Sequence, residues 1–282
     1  MSERAQKTLK KEVRFSGVGV HSGKVAEIFL LPAEENTGIV FQRYSSEKGR
    51  YVNVPANLDH VSSTGRSTSL QKEGVSVITV EHLLAALKAC EVDNVVVRVS
   101  EEEIPIGDGS SETFVRLIQE AGVRAQEDSV SFRELSRPVF YQSGDIFLAA
   151  FPADEFKISY TLHYPHCRMI GTQYRSLVIT EEVFRKEIAP CRTFALYNEL
   201  CFLMEKGLIR GGSLENAVIF KDDGIICGGN LRFTDEPVRH KMLDLIGDLS
   251  LVGQPFLAHI VAVGSGHSSN IALAKELVSV LQ

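Results

Sequence analysis

The side chains best suited to chemistry in this chain are a set of histidines and carboxylates. His240 and Asp244 stand four apart in Arg239-His240-Lys241-Met242-Leu243-Asp244, inside a stretch whose apolar spacing predicts a long helix over 236–253. At that spacing both side chains project from one helix face. An imidazole and a carboxylate so placed can share a metal ion, or form an ordinary surface pair. Catalytic zinc takes three protein ligands and leaves its fourth position to water. The third ligand must come from elsewhere; His82 is a candidate, and spacing alone does not separate it from His60. Glu81 precedes His82. A carboxylate beside a metal suits proton removal from water, and one at a helix start also suits the helix dipole. The HExxH pattern is absent, which argues against a standard metalloprotease. His267 sits in Gly264-Ser265-Gly266-His267-Ser268-Ser269-Asn270, read as a glycine-flanked loop after a strand. A histidine there suits a general acid if a carboxylate keeps it charged. Asp248, one turn beyond Asp244 on the same helix face, is the candidate partner.

Other motifs carry less. His163-Tyr164-Pro165-His166 looks metal-like, but Pro165 places it in extended chain or turn, a structural or surface segment. Gly17-x-Gly19-x-His21-x-Gly23 loosely resembles a phosphate loop, yet lacks the lysine and helix context of one, so it reads as a hairpin turn. His259 falls in an apolar strand and reads as a core histidine. Gly107-Asp108-Gly109-Ser110 reads as a turn and cap.

These residues need elements to hold them. Alternating stretches predict a hairpin through Leu9 to Pro32, short strands at Gly38–Tyr44 and Tyr51–Pro55, and a β-branched strand at Val75–Val80. A helix follows over Glu81–Cys90, a strand over Asn94–Ser100 and a helix over Glu112–Ala121. The polar run Arg124–Ser129 reads as a linker. Strands resume from Phe132 to Tyr164; later come helices at Tyr197–Lys206, Glu236–Gly253 and Asn270–Leu281, with a strand at Pro255–Val263. A strand preceded by a histidine-bearing helix occurs in each half. The pattern predicts an α+β protein of two related units packed on each other, residues 1–128 and 129–282.

Length and charge narrow the function. The chain has 282 residues, 44% of them hydrophobic, enough for a sizeable core. A net charge of −6 argues against a general nucleic-acid binder, which needs a basic face, but not against a small anionic ligand. No apolar run approaches a membrane span, and no secretory leader is visible at the start. Five scattered cysteines without a CxxC read as reduced thiols, so the expected location is cytoplasmic.

Taken together and in order, these segments resemble the zinc-dependent UDP-3-O-acyl-N-acetylglucosamine deacetylases of lipid A synthesis. The resemblance runs from Thr8-Leu9 through Gly17–Gly23, Thr79-Val80-Glu81-His82-Leu83-Leu84-Ala85-Ala86-Leu87 and Glu103–Ser110. It continues through Arg192-Thr193-Phe194 to Arg239–Leu249 and Gly266-His267, covering nearly the whole chain. It implies a lipid-metabolism hydrolase in which Zn2+ is bound by His82, His240 and Asp244. Glu81 would be the general base and His267 the general acid, supported by Asp248. Thr193 would polarise the substrate carbonyl, and Lys241 would be the lysine near the metal.

The implied substrate is an acylated UDP-N-acetylglucosamine. Phe194 and His21 are expected at its binding site, and Lys241 with Arg239 or Arg192 as cations for its diphosphate. A βαβ insert near 195–232 would supply an acyl channel lined by Leu200, Phe202, Leu203, Met204, Leu208 and Ile209. Relatives often carry a cation three residues before the loop histidine, where this chain has Gly264. No nucleic acid or membrane span is expected, although a lipid-like substrate leaves room for transient contact with a membrane surface. The rival reading is a non-catalytic sugar-nucleotide binding protein of the same fold.

Overall fold

The architecture follows from two runs of alternating strands, each leading into a helix that is buried on nearly all sides. The structure is a computed structural model and describes residues 3–281. In the first half the strands of the main sheet are β1 (Val13–Val18), β2 (Val25–Pro32), β3 (Ile39–Ser45), β4 (Arg50–Pro55) and β5 (Val95–Val99). They form one sheet in the order β1-β2-β5-β3-β4, antiparallel except for the parallel pair β3–β5. Helix α1 (Glu81–Ala89) enters before β5, and α2 (Glu112–Ala121) follows it.

The second half repeats this plan. Its strands β6 (Val139–Ser143), β7 (Ile146–Phe151), β8 (Phe156–Tyr164) and β9 (Gly171–Val178) are followed by an insert. The insert holds β10 (Phe194–Leu196), a short helix α3 (Leu200–Glu205), β11 (Val218–Lys221) and β12 (Gly224–Ile226). Helix α4 (Glu236–Ser250), strand β13 (Phe256–Val263) and helix α5 (His267–Val278) complete the half. The five long strands of the main sheet run β6-β7-β13-β8-β9, with β8–β13 the one parallel pair among them; the two-residue strand Arg133–Glu134 also joins β13 in parallel. Strand order and strand directions match the first sheet pair for pair. The α+β expectation of two related sheet-and-helix units therefore holds. So does the βαβ insert, because β10 and β11 are parallel across α3.

Helices α1 and α4 occupy equivalent places, each just before the central strand of its sheet, and they pack against each other. Every residue of α1 except Lys88 is buried, and every residue of α4 except Lys241 and Ser250. Helix α1 is apolar on most sides and persists because other elements cover it, whereas the buried charges of α4 are paired, Glu236 with Arg192, Arg239 with Asp235 and Asp248 with His267. Gly247 allows the close crossing: a Cβ there would fall onto the backbone carbonyl of Glu81. The strand β13 alternates buried and half-buried residues along its whole length, so one face looks inward and the other outward.

Three expectations need correction. The run Arg124–Ser129 is no linker: it lies within a strand, Val123–Ser131, paired antiparallel with Glu3–Leu9. The run reads as loop because all of its side chains except the buried Gln126 are exposed. His267 is not in a loop but opens α5, whose start is fixed by Ser269 bonding Gly266 through both its N–H and its carbonyl. His259 is not in the core; it sits on the outward face of β13 and is satisfied by Ser159 Oγ at 2.8 Å. The hairpin reading of Gly17–Gly23 is matched, and its backbone N–H groups at His21 and Ser22 donate to the buried carboxylate of Glu103 at 2.8 and 2.7 Å. A loop already occupied by a carboxylate has no N–H groups left for a phosphate.

Candidate metal centre and its two cavities

The crossing of α1 and α4 brings His82, His240 and Asp244 together. Their ligand atoms all lie within 4.8 Å of one another, the arrangement needed to hold a metal ion. Nε2 of His82 is 3.5 Å from Asp244 Oδ1, and Nε2 of His240 is 3.4 Å from the same oxygen. The two imidazoles meet edge to face, with centroids 4.9 Å apart. His240 Nδ1 bonds the Cys191 carbonyl at 3.0 Å. Because a carbonyl can only accept, Nδ1 carries the proton and the Nε2 lone pair faces the cluster. Burial pushes His240 down to about 4, against the pull of Asp244, so the ring is neutral near pH 7. Burial alone would raise Asp244. Lys241, bonded to it, and His240 outweigh that and hold it well below the usual carboxylate range. The imidazoles of His82 and His240 with the ionised carboxylate of Asp244 make a donor set that fits a catalytic zinc ion.

Beside the cluster runs a second chain of contacts. Glu81 Oε2 accepts the Thr68 backbone N–H at 3.0 Å, and its Oε1 lies 3.8 Å from His267 Nε2. His267 Nδ1 meets Asp248 Oδ2 at 2.9 Å. Asp248 is fully buried and also accepts from Thr68 Oγ1 at 2.6 Å and Asn270 Nδ2 at 2.8 Å. Burial raises the Glu81 carboxyl, the largest effect on it, while His267 and His82 pull it down. Burial would lower His267, but Asp248 and then Glu81 reverse this and lift it to about 9. A charged imidazole at a helix N-terminus faces the positive end of the helix, so the carboxylates must also overcome that field.

Two cavities meet at these residues. One, of about 490 Å³, is the more polar of the two and is lined by Tyr141, Tyr164, Lys241, Gly264 and Ser268 among others. The other, of about 310 Å³, is largely apolar and lined by Leu200, Leu203, Met204, Ile209 and Ile219. Glu81, His82, Thr193, Phe194 and Arg66 line both. Thr193 is held by its own backbone, its N–H donating to Gly109 and its carbonyl accepting from Val218. Phe194 stands edge-on to His240 and beneath the Lys241 ammonium. His21 lies on the apolar cavity, not the polar one.

Some expectations fail here. Arg192 is buried and forked onto Glu236, and Arg239 is tied to Asp235 and Glu187, so neither guanidinium is free for a substrate phosphate. Phe202 is half exposed and, like Leu208, lies off the apolar cavity. Conversely, Thr68 and Asn270, which hold Glu81 and Asp248, carried no sequence signal beyond small polar residues in ordinary places.

The family model described as UDP-3-O-acyl N-acetylglycosamine deacetylase matches residues 6–279. The chain belongs to this family. Members named UDP-3-O-acyl-N-acetylglucosamine deacetylase include one from Chlamydia pneumoniae, 67% identical with both chains covered in full. One from Chlamydia caviae is 68% identical, again over both full chains. A third, from Chlamydia trachomatis serovar L2, is 64% identical over the whole of this chain and 98% of its own. Membership of the deacetylase family agrees with the cluster at the helix crossing. Among the described residues, no helix is long and apolar enough to cross a membrane.

Proposed function

We propose that this chain hydrolyses the N-acetyl group of UDP-3-O-acyl-N-acetylglucosamine, giving acetate and the free 2-amino sugar nucleotide in lipid A synthesis. The observation that carries this is the junction itself: a ligand triad, a buried carboxylate and a charged imidazole meet where a polar and an apolar cavity join. A sugar with a nucleotide at one carbon and a fatty acyl chain at another needs two such arms. Full-length relatives carrying that enzyme name support the same assignment. The two units are residues 1–128 and 129–282, with the strand Val123–Ser131 carrying the chain from one into the other.

His82, His240 and Asp244 are the residues that would hold Zn2+. A divalent ion there supplies Lewis acidity to water and to the amide carbonyl. The remaining work belongs to the chain. Glu81 acts as general base, and its burial makes it the stronger acceptor for a water proton. Its Oε2 is pinned by Thr68, which leaves Oε1 facing His267 and the cavity. The water oxygen bonds the acetyl carbon, and the Thr193 hydroxyl donates to the oxygen on which negative charge develops. His267, charged at neutral pH, gives its Nε2 proton to the sugar nitrogen as the carbon–nitrogen bond breaks. Asp248 holds the other ring nitrogen and keeps the imidazole oriented. Lys241 balances the charge of Asp244.

Phe194 and His21 border the acyl arm, and the polar cavity takes the nucleotide sugar. A binding protein without turnover would have no use for a base and an acid poised across the cleft, which favours the enzyme reading. Five free cysteines support a cytoplasmic setting.

The test is acetate release from the acylated sugar nucleotide, with metal content measured on the same sample. We expect about one zinc per chain, the count a three-ligand site implies. Chelation should abolish turnover and zinc should restore it. Full activity in metal-free protein, or binding of the nucleotide sugar with no acetate formed, would overturn the reading.

A further inference from the structure

Besides His267, which is held by Asp248, the polar cavity carries two cationic side chains on its wall, Arg66 and Lys241. Lys241 is committed to Asp244. Arg66 is placed otherwise. It stands in the loop between Val61–Ser63 and Ser69–Lys72, and it lines both cavities beside Glu81 and His82. Its side chain is 48% exposed, and its ionic partner is Glu199 of the insert, Nη1 to Oε2 at 2.9 Å. The backbone at Arg66 has φ 71°, a left-handed conformation that costs a residue bearing a Cβ and that the neighbouring Gly65 would adopt freely. The loop thus accepts strain at the one position that puts a guanidinium on the seam between the two arms. Elsewhere near the site, Arg192 and Arg239 are locked in buried pairs, and Gly264 offers no charge.

We infer that Arg66 receives the substrate's diphosphate, with Glu199 holding its place until the substrate arrives. The inference rests on the deacetylase reading above. The diphosphate is attached to the sugar carbon next to the one bearing the acetamide. With the acetamide at the ligand triad, the diphosphate lies one carbon away, at the cavity wall that Arg66 shares with Glu81 and His82. A guanidinium takes a carboxylate and a phosphate oxygen pair with the same planar fork. An exposed ion pair is weak, so a more highly charged diphosphate can displace the carboxylate.

The experiment compares unaltered enzyme, R66Q, R66K and E199Q for acetate release and, separately, for UDP binding by calorimetry. In R66Q we expect KM and the UDP dissociation constant to rise about 10- to 100-fold, the range for losing a hydrogen bond to a charged group, with kcat changed little. R66K should recover part of the loss, since it restores charge without the fork. E199Q should bind UDP as well as the parent or up to about 5-fold more tightly, because an exposed pair is worth that little. In R66Q the affinity for UDP should also depend less steeply on salt. Unchanged UDP affinity in R66Q overturns the inference. So does a parallel loss in E199Q, which would make the pair a structural clasp. Absence of acetate release by the unaltered enzyme would sink the deacetylase reading instead, and the UDP comparison would still decide the role of Arg66.

Discussion

Asp248 holds His267 through Nδ1 at 2.9 Å, and it does so from a fully buried position on the helix that also supplies His240 and Asp244. The partner of His267 is therefore fixed to the same rigid rod as two of the three candidate metal ligands. The pH behaviour of His267 follows from this contact and its neighbour Glu81.

His267 must be protonated to act as an acid. Activity should fall as pH rises through its value of about 9. Asp248→Asn removes the principal charge that raises it, so this basic limb should move to lower pH while kcat drops. The pH–rate profile of the variant measures the shift; an unmoved basic limb would count against the pairing. The stability sign follows the same way. The folded value lies above the ordinary one of 6.5, so the stabilisation is complete below that pH and is lost as pH rises through about 9. Denaturant midpoints at pH 6 and pH 10 should show the parent losing more than D248N over that interval.

Glu81 works in the opposite sense. It must be ionised to accept a proton, and burial raises its pKa, so activity should fall as pH drops through that raised value. Glu81→Gln should cut kcat by about 10²- to 10⁴-fold, the usual worth of a general base. Metal content, read by elemental analysis, should stay at the parental level because Glu81 is not in the ligand triad.

Asp244→Ala should lose the metal and also leave the Lys241 ammonium without its partner. Breaking one side of a buried pair costs about 3–5 kcal/mol, and the part-exposed stem of Lys241 argues for the lower end. The measurement is urea unfolding of metal-free parent against metal-free variant, so that metal loss itself does not contribute. Equal stabilities would show that the pair matters only for ligation.

Gly247→Ala tests the helix crossing. The added Cβ meets the Glu81 carbonyl, so α1 and α4 must separate. Overpacking of this kind costs about 1–3 kcal/mol. A lowered melting temperature should accompany reduced zinc affinity, since His82 and His240 sit on opposite sides of the crossing. A variant with parental melting and parental affinity would mean that the helices can yield without moving the ligands.

Much of this site could be read from spacing. His240 and Asp244 declared themselves by their four-residue separation, and Asp248 by the next turn of the same face. The choice of His82 needed family resemblance, because nothing local says which distant helix crosses α4. Thr193 was equally silent: it is held by backbone bonds to Gly109 and Val218, and such bonds leave no mark on residue type. The helix start at His267 was hidden by glycine and serine, which read as loop until Ser269 is seen to cap Gly266. Arg192 and Arg239 looked like free cations, since a sequence displays charge but not the buried partner across the fold. The repeated sheet order was faintly visible in the placement of the two histidine helices, whereas the parallel pairs β3–β5 and β8–β13 depend on long-range pairing.

The burial of α1 on nearly all sides has a consequence for the order in which the protein is made. Glu81 and His82 leave the ribosome long before His240, with more than half the chain's length between them. Until α4 is synthesised, the face of α1 that it will cover, with Glu81 backbone against Gly247, has nothing to pack on. The nascent first half therefore presents an apolar helix face to its surroundings, the kind of surface that chaperones hold and that aggregates capture. Assembly of the His82, His240 and Asp244 triad and covering of that face of α1 are then one event, timed by the emergence of a single late helix.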